Sequence, residues 1–109
     1  MNQSTLFIAM YRALECLYHE EPTEALQEYV SDMNPYLFQD RSSADPVIKE
    51  DFIRSIRSQN PNSISPEESY GLVCQFLKDT TPYEPLFRHI SISEWIKLCC
   101  IVEKEEARK

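Results

Sequence analysis

The sequence predicts an all-α fold: a compact single domain over residues 1–109, built as a bundle of about five helices. Three observations carry that expectation. Apolar residues recur through most of the chain at the three-to-four-residue spacing of a helix face. Two Ser-x-x-Glu capping boxes and an Asp-Pro pair mark helix starts. Finally, Gly71 is the only glycine among 109 residues, so the φ > 0 turns of a hairpin-rich sandwich or barrel have no supply. A Gly-rich phosphate loop is excluded on the same count. The length leaves room for one core, and the 12 aromatic residues exclude wholesale disorder.

The first helix is expected over Thr5 to His19, where Phe7, Met10, Tyr11, Leu14, Leu17 and Tyr18 fall on one face. Leu6, Ile8 and Ala13 widen the stripe, which places this helix deep in the core. Pro22 interrupts it and fits the first turn of a second helix, with Ala25, Leu26, Tyr29, Val30 and Met33 on its apolar side. Glu24, Glu28 and Asp32 fall on the opposite arc. Asn34-Pro35 ends that helix, because a residue before proline is pushed out of the α region. The stretch from Pro35 to Ala44 has no clean period, although it holds Tyr36, Leu37 and Phe38. Asp45 as N-cap and Pro46 at the first helical position open a third helix, whose apolar row is Ile48, Phe52, Ile53 and Ile56. Asn60-Pro61-Asn62-Ser63 is a turn cluster.

Ser65-Pro66-Glu67-Glu68 starts a fourth helix, which presents Tyr70, Val73, Cys74 and Leu77 with Phe76 beside them. Gly71 inside it costs about 1 kcal/mol relative to Ala, which a closely approaching neighbouring helix would explain. Pro82 and Pro85 bracket an irregular piece. Ser91-Ile92-Ser93-Glu94 caps the last helix, with Ile92, Trp95, Ile96, Cys99 and Val102 expected inward.

The N-terminus carries no basic stretch ahead of its apolar run, and Arg12 and Glu15 interrupt that run, so neither a signal peptide nor a membrane span is expected. Cys16, Cys74, Cys99 and Cys100 lie in apolar stretches, and two of them are adjacent. They read as reduced thiols of a cytoplasmic protein, behaving as small buried hydrophobes.

Charge is the most informative feature. No Lys or Arg occurs between Arg12 and Arg41, whereas Glu15, Glu20, Glu21, Glu24, Glu28, Asp32 and Asp40 do. The other 11 acids balance the 11 bases, so the whole formal charge of −7 comes from this segment. Such a surface repels nucleic acid, which needs clustered Lys and Arg. It attracts and steers a basic protein. Glu20, Glu24, Glu28 and Asp32 also form a row at spacing four with no cation between them, an arrangement that destabilises a helix. A penalty kept on one face suggests a binding surface; a solvated helix face is the plain alternative.

Other constellations are weaker. Cys16-x-x-His19 with His89, Cys99 and Cys100 supplies zinc-type ligands, but not the paired knuckles that make four ligands converge. A nucleophilic Cys with His19 or His89 as base lacks the electropositive setting that lowers a thiol pKa. Asp32, Asn34, Asp40 and Asp45 do not follow the calcium-loop pattern. No metal or cofactor is therefore expected.

Residues Ser31-Asp32-Met33-Asn34-Pro35-Tyr36-Leu37-Phe38 and then Ser43-Ala44-Asp45-Pro46 resemble small bacterial immunity proteins encoded beside polymorphic or contact-dependent growth-inhibition toxins. The resemblance spans residues 31–46 and includes no catalytic signature. It implies a cytoplasmic protein that binds the toxic domain of a cognate effector and blocks it. The expected partner is a basic toxin domain, such as a nuclease, met by Glu20, Glu24, Glu28, Asp32 and Asp40, with Tyr36 and Phe38 as aromatic anchors. Two rival readings stand beside it: a small enzyme or metal-dependent domain using the carboxylates and His89, and an adaptor subunit without inhibitory activity.

Overall fold

A computed structural model describes residues 3–20, 23–34, 46–59, 64–80 and 90–107, and these form five α-helices with no strand among them. They are α1 (Gln3–Glu20), α2 (Glu24–Met33), α3 (Pro46–Gln59), α4 (Pro66–Thr80) and α5 (Ile92–Ala107). The all-α expectation holds, and the helices pack as one bundle with a radius of gyration of 12.8 Å. A compact chain of this length should measure about 13 Å.

α1 is the axis of the bundle, packing against α2, α3 and α5, while α4 bridges α3 and α5. Every residue from Thr5 to Tyr11 is buried, so these two turns are covered on all sides. Beyond them the helix keeps one covered face, at Ala13, Leu14 and Leu17, and its back emerges at Arg12 and Cys16. Three phenylalanines tie α1 to α3 and α4. Phe7 and Phe52 lie 5.5 Å apart in a tilted pair, and Phe52 and Phe76 lie 5.2 Å apart edge to face. Each such pair is worth about 0.5–1.5 kcal/mol beyond the area it buries.

The helix starts follow the local chemistry. The Thr23 carbonyl accepts the Gln27 amide proton at 3.0 Å, which makes Thr23 the N-cap of α2. Pro22 lies outside the described residues, and the first helical residue is Glu24 rather than proline. α2 stops at Met33, one residue before Asn34-Pro35. Its buried side shows Val30; the side chains of Ala25, Leu26, Tyr29 and Met33 are outside the described set. In α3, Phe52 and Ile56 are buried, and Ile48 and Ile53 pack against them. Asp45 and the Asn60–Ser63 turn lie outside the described residues.

α4 and α5 open with matching caps. Ser65 Oγ accepts the Glu68 amide proton at 3.2 Å, and Ser91 Oγ accepts that of Glu94 at 3.2 Å. Ser91 also donates its hydroxyl proton to Glu94 Oε1 at 3.3 Å. The residues preceding these caps, Ile64 and Ile90, are both buried. Ile90 and Trp95 occupy the positions of a hydrophobic staple and share the core cluster, which sets the angle at which the chain enters α5.

Three sequence expectations are corrected. Ile92 is 45% exposed rather than inward. Its angle lies within about 20° of that of buried Cys99, so its exposure follows from its place in the first turn of α5. Gly71 is exposed, and a Cβ added there would meet nothing within 4 Å, so no neighbouring helix explains it. Cys16 and Cys100 are exposed, and only Cys74 and Cys99 are buried hydrophobes.

Candidate functional site

Glu20, Glu24, Glu28 and Asp32 are all exposed. They do not form one helical row. Glu20 is the last residue of α1, whereas Glu24, Glu28 and Asp32 belong to α2. On α2 each step of four residues advances about 6 Å and turns about 40°. The three carboxylates therefore rise along one ridge, with exposed Gln27 and Ser31 beside them and buried Val30 on the far side. Tyr36, Phe38 and Asp40 lie outside the described residues, as does His89.

The electrostatics of this ridge are uneven. Glu24, in the first turn, faces the positive end of the helix dipole. Asp32 sits next to the last residue of α2, where the dipole opposes it and no basic residue stands in the last turn. Glu28 has a like charge at four residues on either side. Among the described residues, no cation pairs with Glu24, Glu28 or Asp32. Arg12, the last cation before the acidic segment, donates to Glu105 of α5 at 2.7 Å. Arg54 of α3 pairs with Asp51 one turn earlier, at 3.5 Å.

A second polar constellation lies inside the bundle. Ser69 Oγ donates to the Pro66 carbonyl at 2.7 Å and accepts the Trp95 indole proton at 2.9 Å, with both side chains fully buried. Cys99 is buried on α5, one turn after Trp95. Burial pushes the Cys99 thiol up to about 12. Burial likewise raises Cys74 to about 11. Both groups stay as thiols at neutral pH, the unreactive form. Nearby, Tyr70 donates to the Ile90 carbonyl at 2.6 Å, and its phenol is also raised, first by burial and then by Cys74 and Glu94.

This node joins α4 to α5 through a donor and an acceptor that would otherwise be buried unpaired. It acts as structure. Sequence reasoning passed over Ser69, although a signal was present: at 100° per residue the hydroxyl falls between Val73 and Phe76, in the middle of the apolar arc of α4. A polar residue there needs a partner, and Trp95 is the only tryptophan in the chain.

Among the described residues, no group of three or more His, Cys, Asp or Glu side chains is placed to hold a metal ion. No helix among them is long and apolar enough to cross a membrane. Comparison with protein-family models, with curated proteins and with solved structures finds no match for this chain.

Proposed function

We propose that this protein is a cytoplasmic binding domain whose acidic ridge engages a cationic protein, and that the partner is a basic toxin domain which it neutralises as an immunity protein. The observation that carries the reading is the exposed line of Glu24, Glu28 and Asp32 along α2, with Glu20 at the end of α1. Charge of one sign on one face accelerates encounter with a surface of the other sign and disfavours wrong partners. The mechanism is occlusion: the ridge covers the cationic groove through which a nuclease-type toxin holds its substrate. The segment bearing Tyr36 and Phe38 directly follows α2 in sequence and supplies the aromatic anchors that set the lifetime of the complex. Four free cysteines, two of them exposed, suit a reducing compartment.

The experiment is a titration. The toxin domain encoded beside this gene is assayed with rising amounts of the protein. Loss of activity that saturates at one equivalent supports the reading. Undiminished activity at excess, or a neighbouring gene that encodes no toxin, overturns it.

A further inference from the structure

We draw no further inference here: the strongest candidate, the outer face of α5 where Cys100 and Ile101 lie exposed between Lys97 and Lys104, is a small apolar patch, and nothing in the structure shows what covers it.

Discussion

Replacing Gly71 with alanine should stabilise the protein by about 1 kcal/mol. Gly71 lies well inside the 15-residue α4, away from both caps. Glycine there loses more backbone freedom on folding than any other residue, and alanine recovers about 0.8–1.0 kcal/mol of that. The gain is usually offset when the new methyl group collides with a neighbour. At Gly71 it does not, since an added Cβ meets no atom of the described residues within 4 Å. The methyl would project from the exposed face between Glu67 and Gln75, one turn away on either side. It buries almost nothing, so the whole effect is backbone entropy.

With about 2.1 cal/mol/K of unfolding entropy per residue, a chain of 109 residues should gain about 4 °C in Tm. Urea unfolding followed by circular dichroism at 222 nm checks this. The midpoint should rise while the slope m stays constant, because the surface exposed on unfolding is unchanged. Gly71→Ser should fall between the two, at about half the gain, since serine ranks between alanine and glycine in helix propensity. A neutral or destabilising Gly71→Ala, or a serine variant better than the alanine one, would refute the argument. Either result would mean that the surface of α4 is not open at that point.

Four further outcomes are expected. In native protein, two thiols, Cys16 and Cys100, should react rapidly with a disulfide reagent, and Cys74 and Cys99 should react only on unfolding; rapid labelling of three or more would contradict the burial of the latter pair. Stability should fall as pH rises from about 9 towards 12, because the raised pKa values of Cys74 and Cys99 keep protons on the native state that the unfolded chain has already lost. Urea midpoints measured across that range should flatten in Cys74→Ala and Cys99→Ala variants, and unaltered slopes would assign the loss to other groups. Ser69→Ala should destabilise by about 2 kcal/mol, since it strands the buried Trp95 indole proton; a loss under about 0.5 kcal/mol would show that the pairing is dispensable. Finally, reversing Glu24, Glu28 and Asp32 to lysine should leave stability within about 1 kcal/mol, because the dipole effects at the two ends of α2 oppose each other. The same triple variant should associate at least about tenfold more slowly with a basic toxin domain at low salt and lose most of its salt dependence; unchanged rates in a folded variant would move the interface elsewhere.

Much of the fold is legible in the chain because its signals are local. Ser65 and Ser91 cap helices in the structure as their spacing to Glu68 and Glu94 implies. The stripe of α1 is buried as its period implies. Periodicity, however, gives an angle about a helix axis and says nothing of how far along that axis a neighbour extends. Ile92 and Cys16 show the gap from opposite directions. Ile92 has an inward angle and is exposed, because the packed part of α5 begins at Trp95. Cys16 sits in an apolar run, yet it falls where the back of α1 has already left the core, although Thr5 and Ala9 on the same side are buried. Gly71 belongs with them: an explanation by close packing needs a neighbour, and only three dimensions reveal that there is none among the described residues.

The carboxylate row was legible as composition but not as geometry. The spacing of four from Glu20 to Asp32 runs across Pro22, where the sequence already breaks the helix, and the chain closes α1 at Glu20 and caps a new helix at Thr23. The break changes the energetics. On a single helix the four acids would make three like-charge pairs, each costing about 0.2–0.5 kcal/mol. With Glu20 on α1, two pairs remain on α2, and the helix dipole's gain at Glu24 is offset by its penalty at Asp32. The ridge is therefore cheaper to keep than the sequence alone suggests, and a stability penalty is a weaker argument for function than it first seems. The stronger argument lies in where the protein places its cations. Arg12 is drawn to Glu105 and Arg54 to Asp51, and neither of these pairs involves a carboxylate of α2. Such exposed pairs add little to stability, about 0–1 kcal/mol each. Their effect on the surface field is larger: they neutralise charge on α1, α3 and α5, while among the described residues no cation pairs with Glu24, Glu28 or Asp32. Interspersed signs serve solubility equally well. A concentrated field of one sign would steer encounter with the cationic partner proposed above, where a mixed one would not.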